Sequence, residues 1–153
     1  MTQENILKIH RDFCPLIKTA AVLGDKWLLM IIRECFFGYK RFEDFQDHLA
    51  ISKSVLSKKL KYLLAQGILK KYPYKTEKQR IRDEYKLTQK GKDLYKVLIG
   101  LIEWGNTYYT LEGTTTVQVV AKQTREEVAL KVVDKNNKPF TVQELSLTSK
   151  ISQ

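Results

Sequence analysis

With 153 residues, 43% of them hydrophobic, the chain is long enough for one domain with its own core, with or without an extension. Twenty-seven Lys/Arg against seventeen Asp/Glu give a formal net charge of +10, and the whole excess lies in residues 52–92, which carry thirteen bases and three acids, while 1–51 and 93–153 are each balanced seven against seven. There is no bilayer-length apolar run, the start Met1–Asn5 is unlike a signal peptide, and Cys14, Cys35, His10 and His48 make neither a disulfide framework nor zinc-ligand spacing, so a cytoplasmic protein with no metal or other cofactor is expected.

In chain order, Cys14-Pro15 opens a first helix with Leu16, Ile17, Ala20 and Leu23 at helical spacing, and proline suits its first position. Gly24-Asp25 breaks it. Asp25 is the expected N-cap of a second helix to about Cys35, whose stripe of Trp27, Leu28, Ile31, Ile32 and Cys35 marks it as central to the core. After the turn Phe37–Lys40, residues 41–49 read as a short helix with Phe42, Phe45 and Leu49 inward, and Glu43-Asp44 supply favourable charge in its first turn. Ser52 then caps a helix to Gln66 that stops at Gly67.

These two helices and their short joint have the layout of a helix-turn-helix. In the second, Leu56, Leu60 and Leu63 share one side, while Ser54, Ser57, Lys58 and Lys61, with Lys53 at the edge, share the other. That outward side is short, hydroxylated and basic, and no acid occurs anywhere in the helix; a face that only meets water usually mixes signs.

Two short strands follow, Ile68–Tyr72 and Asp83–Leu87, linked by Pro73–Arg82 with Lys75, Lys78, Arg80 and Arg82 at the tip. Thr88 caps a long helix, Gln89 to about Tyr109, with an apolar stripe that includes Leu94, Leu98, Leu101 and Trp104, and with Gly91 and Gly100 inside it. Past Glu112-Gly113-Thr114, the segments Val117–Val120, Glu127–Val133 and Phe140–Leu145 are β-like. The expected fold is therefore α+β, mainly α: a winged helix-turn-helix domain over 14–112, an N-terminal arm over 1–13, and a small strand-rich C-terminal extension over 113–153.

Several motifs in order, Cys14-Pro15, Leu23-Gly24-Asp25-Lys26-Trp27, Arg41-Phe42-Glu43-Asp44-Phe45, Ile51–Leu60, Gly67-Ile68-Leu69 and Tyr85–Gly91, make residues 14 to about 105 resemble the HxlR-type winged helix-turn-helix transcriptional regulators. The resemblance implies a homodimer built by the N-terminal segment and the long C-terminal helix, with two recognition helices in successive major grooves of a pseudo-palindromic operator. It also implies a possible role for Cys14 as a redox sensor, since some members of that family sense oxidants near this position. Cys14 would otherwise be a packed interface residue, and Cys35 reads as an inert core thiol.

A net charge concentrated in one basic segment points to double-stranded DNA. The candidate phosphate contacts are Lys40, Arg41, Lys59, Lys75 and Lys78; the candidate base contacts are Lys53, Ser54, Ser57, Lys58 and Lys61; Arg80 and Arg82 are candidates for a narrowed minor groove. His10 and His48 show no partners, and no catalytic motif is present, so an enzyme is not expected. The function expected is sequence-specific regulation, repression before activation, by a homodimer open to a small-molecule or redox effector. Two alternatives stand beside it: a sequence-tolerant nucleic-acid-binding or architectural protein, and a winged helix used as a protein-interaction module.

Overall fold

The computed structural model describes residues 14–111 and 116–147; the expected arm 1–13, His10 and the boundary at Glu112–Thr114 lie outside the described residues. Residues 22–101 form one compact unit, and the described parts of 1–21 and 102–153 form another.

Helix α1 spans Pro15–Leu23 and α2 spans Lys26–Phe37. The Asp25 carboxylate caps α2 by accepting the Trp27 N–H at 2.9 Å. The helix ends at Gly38, whose φ of +98° is the left-handed conformation a Cβ disfavours, with Gly38 N–H and Tyr39 N–H donating to the Cys35 and Glu34 carbonyls. Helix α3, Phe42–Leu49, starts where the Asp44 carboxylate accepts the Arg41 N–H at 3.1 Å. Its joint to α4, Lys53–Ala65, is Ala50 (φ +49°), buried Ile51 and the cap Ser52, whose hydroxyl accepts the Val55 N–H. At the far end Gly67 (φ +65°) lets Ile68 N–H reach the Leu63 carbonyl at 3.0 Å, closing the helix.

The wing is longer than its sequence suggests. Strands β1, Leu69–Lys75, and β2, Ile81–Leu87, pair antiparallel from Leu69↔Leu87 to Lys75↔Ile81. The linker expected over Pro73–Arg82 therefore shrinks to a tight turn, in which Thr76 N–H meets the Arg80 carbonyl at 2.9 Å and Gln79 takes φ +57°. Proline and a run of charges disguise these strands, but both are tolerated here because β1 is an edge. The backbone at Lys40–Arg41 occupies the other side of β2: Tyr85 N–H donates to the Lys40 carbonyl at 2.7 Å, and Arg41 bridges Glu84.

The single helix expected from Gln89 to Tyr109 is instead α5, Gln89–Lys92, and α6, Tyr95–Tyr108. The short turn is pinned to the wing root. Thr88 Oγ1 donates to the Gly67 carbonyl at 2.6 Å, and a Cβ on Gly91 would lie 2.3 Å from the Ile68 carbonyl oxygen. Gly91 thus serves a close backbone approach.

Leu28, Ile31 and Ile32 of α2, Phe45 of α3, Leu56, Leu60 and Leu63 of α4, and Ile51, Ile68 and Leu69 make the core. Each such burial contributes about 1.5–3 kcal/mol before the cost of ordering. This core holds α3, α4 and the wing root in fixed relation.

The extension differs from its β-like reading. Over 116–147 the chain carries two isolated bridges, Val120↔Glu127 and Val133↔Pro139, and a 3-10 turn at Val142–Glu144 where the third strand was expected. That turn is set by the Glu144 carboxylate accepting the Thr141 N–H at 2.8 Å. Among the described residues no helix is long and apolar enough to cross a membrane.

Candidate nucleic-acid interface

Burying Leu56, Leu60 and Leu63 turns the opposite side of α4 to water. Lys53, Ser54, Ser57, Lys58 and Lys61 are all exposed there, on a 13-residue helix with no acid. Ser54 Oγ lies 3.3 Å from the capping Ser52 Oγ, at the N-terminal end where the helix dipole favours an anion.

A second cluster lies between the N-terminus of α3 and the wing. A cleft of about 530 Å³ there is lined by Arg41, Lys75, Lys78, Arg80 and Arg82, together with Tyr74, Thr76, Glu43, Asp44 and Glu77. Five of the twelve predicted contact residues thus meet around one hollow, although they are spread over 42 positions from Arg41 to Arg82. The Arg41 guanidinium lies over the Tyr74 ring, 4.5 Å from its centroid.

The predicted cations are not equally free. The Lys59 ammonium is hydrogen-bonded to the Asp25 carboxylate, and that bond holds the carboxyl below its usual range. Asp25 therefore caps α2 and ties it to α4, and Lys59 stands apart from the exposed face beside it. Arg82 pairs with Glu43. Lys40 and Lys86 reach the Glu84 carboxylate at 3.2 and 3.3 Å, and Arg41 lies 3.8 Å from it. Burial alone would raise the Glu84 carboxyl, but the hydrogen bonds from Lys40 and Lys86 outweigh it and hold the group below the usual carboxylate range. The buried Glu84 is thus the anchor between wing and helix-turn-helix, and nothing in the local sequence distinguishes it from the adjacent Asp83.

His48 has partners that spacing does not reveal. Its Nδ1 lies 3.0 Å from Oε2 of the buried Glu34, its ring meets Tyr39 edge-on at 4.0 Å, and Arg33 holds the other Glu34 oxygen at 2.6 Å. Cys35 packs against the core, where burial first, and then the neighbouring Glu34 charge, push its thiol up to about 12. Cys14 stands half-buried at the start of α1, its carbonyl accepting the Lys18 N–H at 3.2 Å.

A helix-turn-helix with a two-stranded wing and a cationic, acid-free second helix defines a winged helix-turn-helix protein. The chain belongs to the HxlR-like helix-turn-helix family, whose model matches residues 22–113. It is 37% identical over 87 residues to Rv3095 of Mycobacterium tuberculosis, assigned as an HTH-type transcriptional regulator; the match covers 57% of this chain and 54% of that protein, so the chain spans about half the length of that relative. Among solved structures, PA1607, assigned as a transcription factor, is similar with a TM-score of 0.82 and 27% identity over 92% of this chain and 99% of that one. The redox regulator HypR in its oxidized form is similar with a TM-score of 0.57 and 29% identity over 64% of this chain and all of HypR.

Proposed function

We propose that the protein is a homodimeric, sequence-specific repressor of transcription that binds double-stranded DNA in the cytoplasm, with its winged helix-turn-helix domain over residues 14–112. The observation that carries this reading is the acid-free exposed face of α4 beside a cleft lined by five cations. Small hydroxyls and lysines let α4 approach base edges in the major groove, while Arg41, Lys75, Lys78 and Arg80 follow the adjacent phosphates. Two copies related by a two-fold axis would place their recognition helices about 34 Å apart, one turn of DNA, and occlude a promoter.

The test is fluorescence anisotropy of the reduced protein on DNA from just upstream of its own gene, against a scrambled duplex, across a salt series. A preference of at least about a hundredfold is expected, within the range of specific over non-specific binding. If about six to eight phosphates are neutralised, log K falls with log salt at a slope of roughly −5 to −7. Equal binding to both duplexes overturns specificity and favours a coating protein; no binding at low salt favours a protein-interaction module.

A redox input through Cys14 is the second reading. It is supported by the position of Cys14 at a helix N-terminus and by the similarity to HypR. Oxidant that changes DNA affinity in the wild type but not in Cys14→Ser supports it; equal responses overturn it.

A further inference from the structure

The extension offers one backbone edge that the chain itself leaves open. Along residues 126–134 every backbone group that is hydrogen-bonded belongs to an even-numbered residue. The Glu126 carbonyl accepts the Ala121 N–H, Val128 N–H donates to the Val119 carbonyl, and the Val132 carbonyl accepts the Phe140 N–H, each at 2.9 Å. Leu130 N–H donates to the Glu103 carboxylate at 2.8 Å, and Asp134 N–H to the Lys138 carbonyl at 3.0 Å. In an extended chain successive residues point their N–H and C=O to opposite edges. One edge therefore carries all of these hydrogen bonds. The other, formed by Glu127, Ala129, Lys131 and Val133, makes no hydrogen bond among the described residues.

The side chains on this stretch are equally unfinished. Val128, Leu130 and Val132 are 41%, 38% and 55% exposed. None of the described residues in 102–147 is buried. A segment with a row of unpaired N–H and C=O groups is a template for pairing with another chain.

We infer that this edge is an interface with a second copy of the chain, in which the two segments 127–131 pair antiparallel about Ala129; the inference rests on the homodimer reading above. The sequence Glu-Val-Ala-Leu-Lys is complementary to itself about its centre. Antiparallel pairing there sets Ala129 opposite Ala129, Glu127 opposite Lys131, and Val128 opposite Leu130. The free backbone groups belong to the odd residues, so Ala129/Ala129 and both Glu127/Lys131 positions are hydrogen-bonded pairs, each exchanging two N–H···O=C bonds. On one face two ion pairs flank the small central alanines; on the other Val128 and Leu130 meet across the strands. Such pairing is isologous and consumes the open edge of both copies, so it closes as a dimer. The left-handed Arg125 (φ +62°) and the turn that begins at Asp134 bound the segment.

The test uses the full chain and charge reversal, read as the dimer dissociation constant by sedimentation equilibrium. E127K or K131E sets like charges opposite at both symmetric positions, and each is expected to weaken the dimer about tenfold. The double variant E127K/K131E restores opposite charges and is expected to return to within about threefold of the wild type. Ala129→Pro, which removes the central N–H, weakens the dimer by at least as much as a single reversal. Urea unfolding of each variant monitors the integrity of the winged helix. A dimeric wild type with unchanged reversals overturns the inference and leaves the homodimer reading standing, as would follow if another strand covered this edge. Weakened single variants with no recovery in the double variant overturn the register. A monomeric wild type overturns the inference and the homodimer reading together.

Discussion

Residues 22–101 and the described part of 102–147 place their apolar side chains in opposite ways. In residues 22–101 the apolar side chains are spent inward, seven of them almost wholly shielded, and the charge is left outward. In the described part of 102–147 nothing is buried, and Trp104, Tyr108, Val132, Val142 and Leu147 all face solvent in the single chain. The first region is stable by virtue of its own core. The second has hydrogen bonds and turns but no buried residue among those described, so little apolar burial offsets its ordering entropy.

The sharpest way to break that contrast is to cut a side chain from each region. Leu60→Ala should lower the unfolding free energy by about 2–5 kcal/mol in urea titration. Val142→Ala should change it by no more than about 0.5 kcal/mol. Comparable losses would mean that the extension has a core of its own. Next in size is Gly91→Ala. Its new methyl would press on the backbone carbonyl of Ile68, and a loss of about 1–3 kcal/mol is expected by the same titration.

Within the basic region the structure separates neighbouring lysines. Lys58→Ala should weaken DNA binding several-fold and reduce the magnitude of the salt slope by about 1. Lys59→Ala should leave the slope nearly unchanged but lower stability, because it strips Asp25 of its partner. Equal effects on the slope would return Lys59 to the DNA-contacting set.

A smaller effect concerns acid. The folded-state carboxyls of Glu84 and Asp25 lie below their usual range, so their contribution is complete above the unfolded value of about 4.3 or 3.9 and is lost as pH falls through the folded value. Glu84→Gln should therefore flatten the loss of stability on acidification below about pH 4, measured by thermal unfolding at stepped pH. The smallest perturbation is chemical. A maleimide at pH 8 should label Cys14 in the folded protein and spare Cys35, whose thiol is pushed up to about 12, with mass spectrometry locating the adduct.

Much of the winged helix was written locally. Asp25, Ser52 and Thr88 cap the helices they precede, Gly67 ends α4 in the left-handed conformation, and the Leu56/Leu60/Leu63 side of α4 is the buried one. These are consequences of near neighbours and of the 3.6-residue period, which a sequence displays directly. The hairpin is legible in the sequence, but the full length of its strands and the close packing at Gly91 are not, because Pro73 and Gly91 act through chain that lies elsewhere. Pro73 is harmless only on an edge, and Gly91 is required only because Ile68 packs against it.

By itself, then, the sequence determined the order of the helices, their caps, the inward face of each and the placement of all ten excess charges between Ser52 and Lys92. Only the tertiary structure decided which of those charges are spent. Lys59 meets Asp25 across 34 positions, and Arg82 meets Glu43 across 39. It also decided which edge of the extension stays open. The physical reason is common to both: an ion pair or an unpaired edge depends on where distant segments come to rest, and no periodicity along the chain encodes that distance.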